Sequence, residues 1–137
     1  MAEASPPIFV PKGFSPFLEL VGVVFEKVGD GTTRCMLEVT EQLLNSQRLV
    51  HGGVTYTLAD CGMGGAAIGA LIEGETVRTV ETQIIYFRAA GMGKLVCDAR
   101  VVHRGKRIAV VECEIKQRGQ LVAKAIGTFS VQKKKAA

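Results

Sequence analysis

The sequence predicts an α+β fold in which an antiparallel sheet of five to six strands wraps around one long central helix. Three observations lead there. Two segments before residue 41 and four after residue 76 are rich in β-branched and apolar residues, and several alternate apolar with polar side chains, the period of a half-buried strand. One stretch, His51 to about Ile72, is long and apolar enough for a long helix. That stretch contains Gly62, Gly64, Gly65 and Gly69, each costing about 1 kcal/mol relative to alanine in an exposed helix, so it is not stable alone and needs a sheet around it. A chain of 137 residues, 47% of them hydrophobic, supplies the core of one domain.

Residues 1–16 hold all four prolines, Pro6, Pro7, Pro11 and Pro16, and read as an irregular arm or a short helix start near Ser15-Pro16. Residues 17–132 form the domain, and 133–137 a basic tail. Leu20 to Val28 and Thr32 to Thr40 read as strands joined by the turn Gly29-Asp30-Gly31; in the second, Thr33, Cys35, Leu37 and Val39 alternate against Arg34, Met36 and Glu38. After a polar connection comes the helix, where Val54, Leu58, Met63, Ile68, Leu71 and Ile72 leave little polar face and predict burial on most sides. Strands are predicted at Val77 to Phe87, Leu95 to His103, Arg107 to Lys116 and Leu121 to Val131. The turn signals between them, Gly91-Met92-Gly93, Arg104-Gly105-Lys106 and Arg118-Gly119-Gln120, are short enough for hairpins and predict a four-stranded meander.

Composition narrows the function classes. The most apolar stretch, Val54 to Ile72, is interrupted by Asp60 and four glycines, which argues against a membrane span, and Met1 to Pro7 lacks the pattern of an export signal, so a cytoplasmic protein is expected. Cys35, Cys61, Cys97 and Cys113 are far apart, without a C-x-x-C pair. They read as buried apolar groups rather than as disulfides or zinc ligands. A nucleophilic Cys61 is disfavoured because its neighbour Asp60 would raise the thiol pKa. The net charge of +4 includes the tail Lys133-Lys134-Lys135, and with two tyrosines and no tryptophan there is no stacking platform for nucleic acid.

The stretch richest in chemistry is Asn45-x5-His51-Gly52-Gly53-x6-Asp60, which gathers an amide, an imidazole, two flexible backbone donors and a carboxylate around one helix start. Singly, Asn45 could be a cap, His51 a helix-entry residue and Gly52-Gly53 a turn. Asp60 stands apart. It lies in a segment otherwise uncharged until Glu73, where a carboxylate needs a dedicated partner or loses hydration at a cost of several kcal/mol. Carboxylates in such settings concentrate at functional sites.

The spacing of Asn45, His51-Gly52-Gly53 and Leu58-Ala59-Asp60 resembles that of the hotdog-fold thioesterases related to the phenylacetate-pathway (PaaI-like) enzymes. Glu81 to Ala90 with Gly91-Met92-Gly93 looks like that family's long third strand and its exit loop, and Val122 to Phe129 like its last strand. The resemblance implies hydrolysis of an acyl-coenzyme A, with Asp60 as general base or nucleophile and the backbone N–H of Gly52 polarising the thioester carbonyl. Asn45 and His51 would position the loop and the substrate or water, and Thr79 would help orient the water. Gly53, Arg88, Arg104, Lys106 and Arg107 are candidates to meet the substrate and its coenzyme A phosphates. No metal or separate cofactor is implied. The family's site lies between subunits, so a homodimer or a dimer of dimers is expected, with Asp60 facing Asn45, His51 and Gly52 of the partner subunit and the Val77 to Phe87 strands paired edge to edge. Two other readings compete: a non-catalytic acyl-coenzyme A sensor on the same fold, and a hotdog dehydratase or hydratase. Aromatic, medium-chain and hydroxylated acyl groups all remain open.

Overall fold

The structure, a computed structural model, describes Gly13 and residues 15–135. The arm expected over residues 1–16 therefore lies almost wholly outside the described residues, as do the last two residues of the tail. Ser15 caps a short helix, α1 (Pro16–Val21), with its side chain accepting from the Leu18 N–H and Pro16 in the first turn; Gly22, in the left-handed region at φ 92°, ends it. Strand β1 (Val24–Gly29) starts only after this stop. The strand expected from Leu20 is thus corrected: Leu20 and Val21 belong to the helix that the Ser-Pro start and Gly22 delimit.

The turn at Asp30 and Gly31, both at positive φ, leads into β2 (Thr32–Glu38). A 3₁₀ turn (Glu41–Leu43) precedes the long helix α2 (Gly52–Ile68). Then come β3 (Glu75–Tyr86), β4 (Lys94–Arg104), β5 (Ile108–Gln117) and β6 (Gln120–Lys133). Helix α2 is shorter than expected, since His51 is its N-cap and the chain leaves the helix at Gly69.

All six strands form one antiparallel sheet in the order β1-β2-β4-β5-β6-β3, and α2 packs across its concave face, the hotdog arrangement. The predicted four-stranded meander is corrected. Strands β4, β5 and β6 do form consecutive hairpins, but β3 pairs with β6 at the sheet edge, and residues 87–93 carry the chain back across β6 and β5 to lay β4 beside β2. That crossing spans three strand spacings, about 14 Å. A seven-residue connection can reach about 23 Å, so its length permits a crossing as readily as a hairpin.

The alternation places Cys35, Leu37, Leu95, Cys97, Ala109, Val111, Cys113, Ile115, Ala123 and Phe129 in the core. Opposite them α2 buries Thr55, Leu58, Ala59, Gly62, Met63, Gly65, Ala66 and Ala67. Outward-facing neighbours form cross-strand ion pairs, Arg34 with Asp98 at 2.7 Å and Arg100 with Glu112 at 2.5 Å. The helix lies close to the sheet because its contact face is small. A Cβ on Gly62 would stand 2.5 Å from the Cys97 Sγ and 3.3 Å from the Cys35 Sγ. The expectation of burial on most sides needs qualifying: the sheet covers one face, whereas Gly53, Tyr56, Thr57, Asp60, Cys61, Gly64 and Ile68 form a stripe that is open or only half-buried.

Gly62→Ala should therefore overpack this contact and lower stability by about 1–3 kcal/mol in denaturant titrations. Cys97→Ala in the same chain makes room for the added methyl, so the double variant should be more stable than the sum of the single effects predicts. Strict additivity would show that Gly62 does not set the helix-to-sheet distance.

Candidate active site

The entry to α2 is built by hydrogen bonds that sequence spacing alone does not reveal. The Asn45 side-chain oxygen accepts from the backbone N–H groups of Gln47 at 2.9 Å and Leu49 at 3.1 Å. Its backbone N–H reaches the Leu49 carbonyl at 2.7 Å, closing a tight loop that holds Arg48 at a left-handed φ of 63°. With its oxygen committed, the Asn45 amide has only its NH₂ left to offer outward. The loop is tied down on both sides, because the Val50 N–H donates to the Ala90 carbonyl at 2.8 Å and the His51 N–H to the Leu43 carbonyl at 2.9 Å.

His51 caps the helix through its ring. The Nδ1 atom accepts from the Gly53 N–H at 2.9 Å, which requires the proton of a neutral imidazole to sit on Nε2. The Gly53 N–H thus serves the cap. The Gly52 N–H, an orphan donor of the first turn, has no partner among the described residues and stands at the positive end of the helix dipole. On the other side the Tyr86 hydroxyl donates to the Gly52 carbonyl at 2.7 Å. Asn45, Gly52, Thr55, Tyr86, Phe87 and Arg88 line a cleft of about 350 Å³ at this helix end. A larger concavity of about 1120 Å³ crosses the outer face of the sheet, but its lining includes Arg34, Asp98, Arg100 and Glu112, already ion-paired, and none of the candidate residues.

Asp60 lies two turns further along α2. It is half-buried at the margin of the uncovered stripe, not sunk in the core, because the sheet covers only the opposite side of the helix. Its partner is Thr79, whose hydroxyl donates to the Asp60 carboxylate at 2.9 Å. A β-bulge makes this pairing compatible with the Tyr86 contact. Between Thr79 and Glu81 the register of β3 against β6 shifts by one residue, at the highly exposed Val80. Side chains alternate strictly along a regular strand, so Thr79 and Tyr86, an odd number of residues apart, would face opposite sides. The extra residue re-phases the strand, and both point at α2. Next to Asp60, burial first and the carboxylate second push the Cys61 thiol up to about 12, which keeps it protonated near neutral pH.

Asp60 and Gly52 do not meet within one chain. Eight residues along a helix at 1.5 Å each separate them by about 12 Å. Of the basic candidates, Arg88 lines the cleft and makes no ion pair among the described residues. Arg104 is at the opposite end of the sheet, paired with Glu75 at 2.5 Å. The Ile72 N–H and then Arg104 hold the Glu75 carboxyl below the usual carboxylate range. Lys106 and Arg107 lie exposed in the turn beside Arg104, far from the cleft. Sequence reasoning did not single out Tyr86: its strand phase toward α2 depends on the bulge, and no glycine or proline marks that. Among the described residues no cluster of three or more His, Cys, Asp or Glu side chains could hold a metal ion, and no helix is long and apolar enough to cross a membrane.

A family model described as the thioesterase superfamily matches residues 47–124, a span that takes in His51, Gly52, Gly53, Asp60, Thr79 and Tyr86. The structure is similar to that of a conserved protein from Pseudomonas aeruginosa, with a TM-score of 0.84 and 38% identity over 86% of this chain and 94% of that one. It is also similar to a mutant of the phenylacetic acid degradation protein PaaI from Thermus thermophilus, with a TM-score of 0.79 and 27% identity over 85% of this chain and 98% of that one. Mouse acyl-coenzyme A thioesterase 13 is 29% identical over 126 residues, 90% of this chain and 88% of its own.

The loop geometry makes a prediction independent of function. Asn45→Ala leaves the half-buried Leu49 N–H and the exposed Gln47 N–H without their acceptor and should cost about 1 kcal/mol of stability, measured by thermal and denaturant unfolding. Unchanged stability would mean that the Asn45 oxygen does not hold the loop.

Proposed function

Because this chain belongs to the thioesterase superfamily, we propose that it hydrolyses the thioester of an acyl- or aryl-coenzyme A to the free acid and coenzyme A in the cytoplasm. One observation carries this reading. A carboxylate held by a hydroxyl, Asp60 with Thr79, and an unpaired helix N-terminal donor, the Gly52 N–H, are the two groups that acyl transfer to water requires. The names of the mouse and Thermus relatives support an acyl-coenzyme A substrate and leave aryl groups within range.

In this mechanism the Gly52 N–H, strengthened by the helix dipole, takes the charge that grows on the thioester oxygen. Asp60 removes a proton from water as the water oxygen bonds to the carbonyl carbon, and Thr79 keeps the carboxylate turned toward that water. The C–S bond then breaks, and the coenzyme A thiolate recovers a proton from Asp60. The alternative route has the Asp60 carboxylate attack the carbon directly, giving a mixed anhydride that water opens. Both routes need the donor within about 3 Å of the carbonyl oxygen and the carboxylate on the same carbonyl group, about 3 Å from its carbon in direct attack or one water away when it acts as base.

The separation of about 12 Å within one chain means that each site draws on two chains. The unpaired edge of β3 offers the joint. Two β3 strands paired antiparallel about a two-fold axis near Thr82 and Gln83 would set Thr79 opposite Tyr86 of the partner subunit, and so Asp60 beside Gly52 of the partner subunit. That pairing also covers the open stripe of α2. Asn45 and His51 then act chiefly by holding the loop and the cap, with the Asn45 NH₂ free for substrate or water, and Gly53 belongs to the cap. Arg88, at the cleft, is the basic residue best placed for the coenzyme A phosphates. Lys106 and Arg107 would contribute only at the periphery, and Arg104 only by giving up Glu75.

Two substitutions test the chemistry. Asp60→Asn keeps shape and hydrogen bonding but removes the base, and should lower turnover of phenylacetyl- or octanoyl-coenzyme A by about 100-fold or more, followed by thiol release. Gly52→Pro deletes the N–H where proline fits, since Gly52 is the first helical residue and His51 before it is already extended at ψ 133°; a loss of about 100-fold or more in kcat is expected. Folded variants that hydrolyse both esters at the original rate would contradict the assignment of these two groups.

A further inference from the structure

We infer that Tyr86 is a positioning residue for the hydrolytic site: its hydroxyl, with the His51 ring, clamps the Gly52–Gly53 peptide and so limits the turning of the Gly52 N–H, which belongs to the His51–Gly52 peptide directly before it. The inference rests on the proposed reading of Gly52 as the carbonyl-polarising donor. A helix that starts with two glycines has the least restrained first turn a chain can offer, because glycine gives up more conformational freedom on ordering than any other residue. An oxyanion donor needs the reverse, since a dipole stabilises developing charge only if it is already oriented. The structure restrains the peptide unit that follows this donor, Gly52–Gly53, at both ends. Its carbonyl, on Gly52, accepts from the Tyr86 hydroxyl at 2.7 Å, and its N–H, on Gly53, donates to His51 Nδ1 at 2.9 Å.

The two restraints come from different elements. His51 belongs to the helix cap and moves with it, whereas Tyr86 stands on β3 and ties the helix start to the sheet. The same strand carries Thr79, the hydroxyl on Asp60, and the bulge at Val80 is what lets both residues face the helix. Burial first, and the neighbouring Tyr56 second, hold the Tyr86 hydroxyl above its ordinary pKa, so it remains a protonated donor throughout the neutral range. The side chain is also well placed sterically: a Cβ on Gly52 would meet the Tyr86 oxygen at 3.5 Å, ordinary contact distance.

Tyr86→Phe removes only the hydroxyl. In the full-length protein, with phenylacetyl- and octanoyl-coenzyme A as probes, kcat should fall about fivefold to tenfold with KM nearly unchanged, the loss of one hydrogen bond expressed in turnover. The Gly53 amide, read by hydrogen–deuterium exchange, should exchange several times faster while the melting temperature and subunit composition stay at wild-type values. A rise in KM with kcat preserved would overturn the inference, since it would make Tyr86 a substrate contact; unchanged Gly53 exchange would overturn it too. Asp60→Asn, assayed in parallel, reports on the hydrolytic reading by itself. Lost turnover there with full turnover in Tyr86→Phe removes Tyr86 and leaves that reading standing. Full turnover in Gly52→Pro overturns the reading of Gly52 on which the Tyr86 inference depends.

Discussion

The close approach of α2 to the sheet governs where nearly every group of the candidate site stands. Gly62 lies against the Cys97 and Cys35 sulfurs and Gly65 against Thr33, with Ala59, Ala66 and Ala67 beside them and Leu58 and Met63 filling the core on the same face, so the helix has one rotational setting in which this face turns inward. That setting sends Asp60 to the uncovered side without exposing it fully. It also leaves Gly52 at the end of the helix nearest Tyr86. A helix with larger residues on this face would ride higher and turn, and the side chains of β3 would no longer reach it. The cost of Gly62, Gly64 and Gly65 inside the helix is thus offset by a position that both ends of the candidate site require.

Strand β3 adds the second constraint. It is an edge strand of the sheet that reaches α2 at the margin of the uncovered side through Thr79 and Tyr86, and its bulge lets two residues of opposite phase face one helix. Thr79 and Tyr86 then address different ends of the site: one holds the carboxylate, the other the first turn. The same edge strand presents a row of unpaired backbone groups. Pairing it with a second copy would meet those groups and would bring a carboxylate to a donor that it cannot reach in its own chain.

Much of this architecture was legible in the sequence, and the gaps have physical causes. The period-two alternation of β2, β4, β5 and β6 identified the core positions, since antiparallel strands with one buried face leave that pattern. The long third strand and the helix were visible for similar reasons, and Asp60 stood out because it is the one charge in an apolar, glycine-rich run. Strand order was not legible. The segment 87–93 has the glycines of a hairpin turn but makes a crossover, and local composition does not report which strand a segment will join. The bulge at Val80 left no trace because valine is at home in any strand, and with it went the role of Tyr86. Arg104, a candidate for phosphate binding by charge alone, is held by Glu75, a contact that joins the start of β3 to the end of β4.

Everything in the functional account depends on one site being assembled from two chains. Co-expression of Asp60→Asn with Gly52→Pro, under different affinity tags, tests this most directly. Each variant alone should be inactive, but a mixed dimer restores one site in which the carboxylate and the donor are both intact, alongside one in which both are lost. Random pairing should therefore return roughly a quarter of wild-type turnover, and purified mixed dimers roughly half. Mixed dimers as inactive as either parent would contradict the account, because the carboxylate and the donor would then have to act within a single chain.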